Sequence, residues 1–212
     1  MTAFLNTIHY SLKSSSARLI ATLAGSLDRG EVGIFPAETV YGLGCHAFRP
    51  AAIQRIFHLK GRNFYKPLAL LVSDLDQAQE LIADLPDAAL ILAKKFFPGP
   101  LTLVLKASTL GRMTMGGHRT IGVRIPHHSW LLSLIKKTGV PLATTSVNHS
   151  GQPEALSGAE AKKSFEGKVD WIVDGGRTKL GKPSTVIDLT HFPYTVRREG
   201  AIPKRAIYEA LL

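Results

Sequence analysis

Residues 86–106 read PDAALILAKKFFPGPLTLVLK, and this stretch decides the fold class. Its first part, 86–97, predicts a helix that begins at a proline. The sequence Pro98-Gly99-Pro100 then stops the helix, because proline lacks the backbone N–H that a helix needs. The apolar run over 101–106 predicts a buried strand. A helix followed closely by a strand indicates a domain that mixes both elements.

The same alternation extends in both directions along the chain. Further helices are predicted over 15–29, 49–60, 74–83, 128–138 and 203–211. Further strands are predicted over 32–35, 67–73, 120–125, 142–145, 171–173, 185–189 and 195–198. This order predicts an α/β or α+β domain around one twisted sheet with flanking helices. Neither a repeat nor a linker is visible, so residues 1–212 are predicted to form a single domain.

The composition is that of an ordinary globular protein, with 45% hydrophobic and 20% charged residues. Cys45 is the only cysteine, so no intramolecular disulfide can form, which fits a reducing compartment. The first residues lack the profile of a secretion signal. No apolar stretch approaches the roughly 18 to 20 residues that cross a bilayer. We therefore expect a cytoplasmic protein that does not bind a membrane.

The charge balance is strongly basic. Lysine and arginine number 26 against 16 aspartate and glutamate residues, which gives a formal charge of +10. Such a charge attracts polyanions such as nucleotides or RNA. The basic residues are scattered, however, so a generally basic surface explains the charge equally well.

No glycine-rich phosphate-binding loop is present, so a nucleotide would need side-chain cations. The best candidates are Lys60, Arg62 and Lys66, which lie within seven residues just after a predicted helix. Gly61 between them would allow close approach of a ligand. The alternative is a solvated helix C-terminus, where basic residues are favoured in any case.

Two segments place small hydroxyl residues at the edges of predicted strands, over 144–148 and 183–187. Hydroxyl groups there could contact phosphate or a small polar substrate, or could simply cap turns. Arg124 lies in an otherwise apolar strand and needs a counter-charge if it points inward. A substrate carboxylate, an internal acid or an outward orientation would each satisfy it.

Other kinds of catalytic centre are not indicated. The eight histidines show no spacing typical of a metal site, and His127 and His128 are adjacent, so they do not share a face of a helix or strand. We therefore expect no metal bound by protein ligands alone. Cys45 is more typical of a small core residue than of a nucleophile. No Ser-His-Asp set can be identified.

Seven segments together resemble the YrdC family of threonylcarbamoyl-adenylate synthases, in the short, single-domain bacterial form. They are Phe35-Pro-Ala-Glu-Thr-Val-Tyr-Gly-Leu-Gly44, Lys60-Gly-Arg62 with Lys66-Pro-Leu68, Pro98-Gly-Pro-Leu-Thr102, Gly122-Val-Arg-Ile-Pro126, Thr145-Ser-Val-Asn148, Ser184-Thr-Val-Ile-Asp188 and Arg198-Glu-Gly-Ala-Ile202. Each segment alone is weak, but their order matches the family over about 17–203.

The resemblance implies a single α/β domain whose open, twisted sheet encloses a large basic cavity. It also implies roles for individual residues. Lys60 and Arg62 would be catalytic, and Arg62, Lys66, Thr120, Ser146 and Arg198 would bind ATP. Thr39, Arg124, Thr144 and Ser184 would bind L-threonine, with Arg124 taking its carboxylate.

The implied reaction consumes ATP, bicarbonate or CO2 and L-threonine, and gives threonylcarbamoyl-AMP and pyrophosphate for the t6A modification of tRNA. Mg2+ would arrive with ATP. Proteins of the TsaB, TsaD and TsaE type would use the adenylate, and direct binding of tRNA is a further expectation. The alternatives are a YciO-like paralogue without synthase activity and a plain RNA-binding module.

Overall fold

The computed structural model describes residues 5–12, 17–61, 68–149 and 151–212. The strands are β1 (Ile8–Ser11), β2 (Gly33–Phe35), β3 (Gly42–His46), β4 (Ala69–Leu71), β5 (Leu101–Lys106), β6 (Thr120–Arg124), β7 (Leu142–Ser146), β8 (Trp171–Asp174), β9 (Thr185–Asp188) and β10 (Thr195–Arg198). The helices are α1 (Ala17–Asp28), α2 (Pro50–Lys60), α3 (Asp87–Phe96), α4 (Thr109–Thr114), α5 (Ser129–Thr138), α6 (Gly158–Phe165) and α7 (Lys204–Glu209).

The strands form one mixed sheet in the order β1-β8-β2-β3-β7-β4-β6-β5-β9-β10. Strands β1, β8 and β2 run parallel, whereas β3 and β7 pair antiparallel with their neighbours. Strands β1 and β10 lie at the two ends of this order, so the sheet is open. The predicted α/β class with a single open sheet and flanking helices is confirmed.

The central strands of the sheet are buried on both faces, each face in its own cluster of apolar side chains, whereas the edge strands β1 and β10 are mostly exposed. The larger cluster contains Ile56 of α2, and the smaller contains Leu27 of α1 and Leu134 of α5. Ile34 and Phe35 are neighbours in β2 but belong to different clusters. This follows from strand geometry, because successive side chains point to opposite faces. Helices therefore pack on both sides of the sheet.

Most predicted elements occur with shifted ends, but the predicted helix over 74–83 is wrong. Only a short 3-10 helix forms there, over Asp76–Leu81. Its entry is a local turn, in which the side chain of Asp74 accepts a hydrogen bond of 3.0 Å from Gln77 N. The start of the predicted helix over 15–29 and the start of the predicted strand over 67–73 lie outside the described residues.

Strand β3 was not predicted, because its sequence is rich in glycine, which weakens strands in isolation. The glycines are required by close packing in the sheet. A side chain at Gly44 would place its Cβ 2.8 Å from Thr144 Cγ2 and 2.9 Å from Phe35 Cζ. Pairing with β2 and β7 on either side therefore holds a segment whose local sequence does not favour a strand.

Strand β1 and helices α4 and α6 were also not predicted. Both helices begin at a serine that caps the first turn, Ser108 for α4 and Ser157 for α6. No helix among the described residues is long and apolar enough to cross a membrane.

Candidate active site

A cavity of about 360 Å³ lies on the face of the sheet opposite the larger core. Val123 of β6 points into that core, and its neighbours Gly122 and Arg124 line the cavity. The same alternation in β5 places Thr102 and Val104 in the lining. The cavity volume is typical of sites that bind small molecules.

Most of the residues that the family resemblance assigned to ligands lie around this one cavity. They are Thr39, Thr120, Arg124, Thr144, Ser146, Ser184 and Arg198. Lys60 is not in the lining but is bonded to Ser146, which is. Arg62 and Lys66 lie outside the described residues. Segments that are far apart in the sequence thus meet, although their roles toward ligands remain predictions.

Arg124 points inward and is held by three protein groups. Its Nε donates to the carbonyl oxygen of Gly99 at 3.0 Å, and its Nη2 donates to Glu38 Oε1 at 2.7 Å and to Thr39 Oγ1 at 3.1 Å. The outward orientation is therefore wrong, and an internal acid does pair with this arginine. No hydrogen bond joins Nη1 to any described residue, so Nη1 is the donor that a ligand could still use.

Lys60 is buried, with 3% of its surface exposed, although it stands at the end of α2. Its Nζ donates to the carbonyl oxygen of Ser146 at 2.6 Å and to Asn148 Oδ1 at 2.5 Å. Gly61 follows in the left-handed conformation, with φ of 57°, and turns the chain away from the helix. For Lys60, the alternative of a solvated helix terminus is wrong.

The hydroxyl group of Ser184 lies between two other side chains of the lining. Its Oγ is 2.9 Å from Thr102 Oγ1 and 3.2 Å from Arg198 Nη2. Arg198 also donates to the carbonyl oxygen of Ser184, from Nε at 3.1 Å and from Nη2 at 2.8 Å. This network ties the end of β10 to β5 across the start of β9.

Thr144 has a structural bond as well as a place in the lining. Its Oγ1 donates to the carbonyl oxygen of Ala69 at 3.2 Å, which links β7 to β4. The hydroxyl still has acceptor capacity toward a ligand, because a threonine oxygen can accept while it donates.

A second ion pair stands at the β9–β10 side of the cavity. Arg197, which lines the cavity, bonds Asp188 Oδ2. Burial raises the pKa of Asp188, but hydrogen bonds from Thr190 and from Arg197 outweigh this effect and leave the pKa below its ordinary value. Asp188 is therefore ionised at neutral pH and compensates the charge of Arg197.

The lining carries three arginines, Arg124, Arg197 and Arg198, and no aspartate or glutamate among the described residues. Two of the three have a carboxylate partner just behind the lining, and Arg198 has a serine instead. The basic cavity implied by the resemblance is therefore present, with three arginines in its lining, of which two are paired with carboxylates. Within the described ranges, no group of His, Cys, Asp and Glu could hold a metal ion.

Sequence reasoning assigned no role to Glu38, Thr102, Arg197 or His118. Glu38 and Thr102 lie inside segments that carried the resemblance, but their contacts depend on partners far along the chain. Glu38 is 86 residues from Arg124, and Thr102 is 82 residues from Ser184. The sequence shows Glu38 as an acidic residue within a mainly apolar stretch, and this is the signal that could have pointed to it.

The chain matches a family model and several solved structures. The Sua5/YciO/YrdC family model, which carries the description telomere recombination, matches residues 26–200. The crystal structure of P. abyssi Sua5 complexed with L-threonine superposes with a TM-score of 0.90 at 39% identity, and the match covers 97% of this chain and 60% of that one. E. coli YciO superposes with a TM-score of 0.84 at 28% identity, and the match covers 96% of this chain and 99% of YciO.

Curated relatives carry the name threonylcarbamoyl-AMP synthase. The protein of Pyrococcus abyssi is 42% identical over 91% of this chain, and that of Bacillus subtilis is 37% identical over 89%. The matched region is 57% of the first relative's length and 55% of the second's, so this chain spans a little over half of each. By the extent of the family match, the chain belongs to the Sua5/YciO/YrdC family.

Proposed function

We propose that this chain is an L-threonylcarbamoyladenylate synthase, a nucleotidyltransferase that makes threonylcarbamoyl-AMP and pyrophosphate from L-threonine, bicarbonate or CO2 and ATP. One observation carries the proposal. Residues assigned to L-threonine converge on one cavity, in a fold that matches P. abyssi Sua5 complexed with L-threonine. The names of the relatives from P. abyssi and B. subtilis support the same activity.

The threonine would lie at the Arg124 side of the cavity. Nη1 of Arg124 would donate to its carboxylate, and Thr39, Thr144 and Ser184 would surround its side chain and amine. The hydroxyl groups of Thr39 and Thr144 are already held by Arg124 and by the carbonyl of Ala69. Such groups are fixed before the ligand arrives, which reduces the entropy lost on binding.

Ser146 in β7 and Arg198 in β10 would contact ATP from opposite sides of β6, and Thr120 in β6 would lie at the nucleotide. Arg198 carries no bonded carboxylate among the described residues, so its charge is available to an anion. Arg62 and Lys66 would complete the phosphate site from the segment after α2, and Arg62 would be catalytic with Lys60. Lys60 is bonded to the carbonyl oxygen of Ser146, so it lies directly behind the part of the lining that β7 supplies.

The chemistry needs positioning and charge neutralisation more than acid and base groups. The threonine amine adds to CO2, with loss of a proton, and forms a carbamate. A carbamate oxygen then attacks the α-phosphorus of ATP, and the bond to the pyrophosphate oxygen breaks. Arginine and lysine donors would stabilise the charge that develops on the transferred and leaving phosphates. Mg2+ would enter on the ATP phosphates as part of that substrate.

We place this reaction in the cytoplasm, in a single domain formed by residues 1–212. Its product would pass to proteins of the TsaB, TsaD and TsaE type, which use it to modify tRNA. The formal charge of +10 supports direct contact with tRNA at some stage.

The proposal is tested by release of pyrophosphate from ATP by the purified protein. We expect release only when ATP, threonine and bicarbonate are all present. Reactions that lack threonine or bicarbonate are the matched controls. Equal release without threonine would contradict the proposal.

A second candidate shares the fold and the length of this chain. E. coli YciO is covered over 99% of its length, and the synthases of P. abyssi and B. subtilis are covered over little more than half, although a putative synthase of Mycobacterium tuberculosis is also covered over 90%. A YciO-like paralogue would share the cavity but release no threonine-dependent pyrophosphate. An RNA-binding protein without this activity would bind RNA in the same assay buffer and would not require ATP.

A further inference from the structure

The three arginines of the cavity differ in how their charge is compensated. Arg124 is 7% exposed and pairs with Glu38, which is 4% exposed. Arg197 is paired with Asp188. Among the described residues, Arg198 bonds no carboxylate. Arg124 and Arg197 are therefore each compensated by a bonded carboxylate, whereas the charge of Arg198 is attracted by Glu154 without a bond and is repelled by Arg124.

Glu38 is fixed in place behind the cavity lining. Its carbonyl oxygen accepts a hydrogen bond of 2.9 Å from Leu180 N, and its Oε1 accepts one of 2.7 Å from Arg124 Nη2. Its second carboxylate oxygen, Oε2, is buried without a hydrogen-bond partner among the described residues. A buried carboxylate with one unpaired oxygen is costly, so it is retained in a folded protein only where its charge is compensated. Arg124 supplies that compensation.

We propose that Glu38 is a positioning and selectivity residue for the amino-acid end of the cavity. It holds Nη2 of Arg124, so that Nη1 alone remains for the ligand. It also cancels the guanidinium charge, so that this end accepts a carboxylate only when the ligand carries its own ammonium group. This inference rests on the proposed function, because it assumes that Arg124 binds the amino acid.

ATP and L-threonine would have to share one cavity without exchanging places. ATP carries several negative charges, and an unpaired buried arginine would attract its phosphates strongly because charges interact strongly in a low-dielectric interior. L-threonine is a zwitterion with no net charge. A neutral Arg124–Glu38 pair attracts the zwitterion's carboxylate over a short distance but exerts little pull on a polyanion. The exposed Arg198 side then remains the favoured position for phosphate.

The test compares L-threonine with 3-hydroxybutyrate, which is the same molecule without the amine. Binding of each is measured by titration calorimetry to the wild type, to Glu38→Gln and to the control Glu209→Gln. Glutamine keeps the size and an acceptor oxygen but removes the charge. Glu209 also pairs with an arginine, Arg205, but on the surface of α7 and away from the cavity.

We expect the wild type and Glu209→Gln to prefer L-threonine over 3-hydroxybutyrate by the same factor. In Glu38→Gln this preference should fall by about tenfold or more, because the anion no longer meets an opposing carboxylate. Glu38→Asp keeps the charge, so it should keep most of the preference even if it binds both ligands more weakly.

Several results would overturn the inference. One is a wild type that binds 3-hydroxybutyrate as tightly as threonine, and another is a Glu38→Gln protein with an unchanged preference. If Glu38→Gln does not fold, loss of the preference in Glu38→Asp would overturn it as well. A wild type that binds threonine selectively but makes no adenylate would contradict the proposed function alone.

Discussion

Lys60 Nζ lies 2.6 Å from the carbonyl oxygen of Ser146, so a buried ammonium group joins the end of α2 to the end of β7. A lysine with 3% of its surface exposed is costly unless its donors are used. Here Asn148 takes a second donor. Lys60 therefore fixes the strand end that carries Ser146, in addition to the role in catalysis that we propose for it.

We expect Lys60→Ala to reduce adenylate formation by the equivalent of about 2 to 4 kcal/mol. It should also lower the melting temperature, because the carbonyl oxygen of Ser146 and Oδ1 of Asn148, both partly buried, lose the donor that Lys60 supplies, at a cost of roughly 1 to 3 kcal/mol. Arg62→Ala is the matched comparison and should reduce activity while it leaves the melting temperature unchanged. Wild-type turnover in both variants would contradict this placement of the ATP site.

Arg124→Lys should weaken threonine binding while ATP binding persists. Lysine keeps the charge, but its single ammonium group cannot bond Gly99, Glu38, Thr39 and a carboxylate together in the geometry of a guanidinium. The pair with Glu38 is buried, so we also expect a lower melting temperature. Calorimetric titration with each ligand, beside a melting curve, checks both effects. A stable Arg124→Lys protein that binds threonine normally would show that the carboxylate lies elsewhere.

L-threonine should be preferred over serine as substrate, and glycine should be poorer still. A pocket contact for one methyl group contributes about 1 to 3 kcal/mol, which gives tenfold or greater discrimination. The comparison uses kcat/KM for the three amino acids at saturating ATP and bicarbonate. Equal values would mean that the pocket around Thr39, Thr144 and Ser184 does not contact the substrate side chain.

Cys45 should resist alkylation in the folded protein. It is fully buried in β3, and burial raises the pKa of its thiol to about 12. The thiolate is the reactive form, so at pH 8 almost none is present. Mass spectrometry after iodoacetamide treatment should find Cys45 unmodified until the protein is denatured. Rapid modification without denaturant would indicate that β3 opens readily.

The elements that were predicted correctly are those whose start or stop signals lie in neighbouring residues. The break at Pro98-Gly99-Pro100 separates α3 from β5, and the structure has both elements on either side of it. Strand β3 was missed because Gly44 disfavours a strand locally and is required only by Phe35 and Thr144, which pack against it. The reason for the glycine lies in a neighbouring strand, which cannot be seen from the residues around it.

The same limit applies to the site. The resemblance identified Arg124 as a site residue, and the structure places it in the cavity. Its pairing with Glu38 could not be predicted, because 86 residues separate the two in sequence and sheet topology alone brings them together. Both carboxylates that compensate cavity arginines, Glu38 and Asp188, lie within the segments that carried the resemblance. Neither was assigned a role.

The most direct test of the central claim is to follow the carbon of bicarbonate. The purified protein is incubated with ATP, L-threonine and 13C-labelled bicarbonate, and the products are separated at once and analysed by mass spectrometry. We predict an adduct of threonine and AMP that is joined by one labelled carbonyl carbon, formed together with pyrophosphate. Unlabelled adduct, or hydrolysis of ATP without any threonine adduct, would contradict the assignment of this chain as a threonylcarbamoyladenylate synthase.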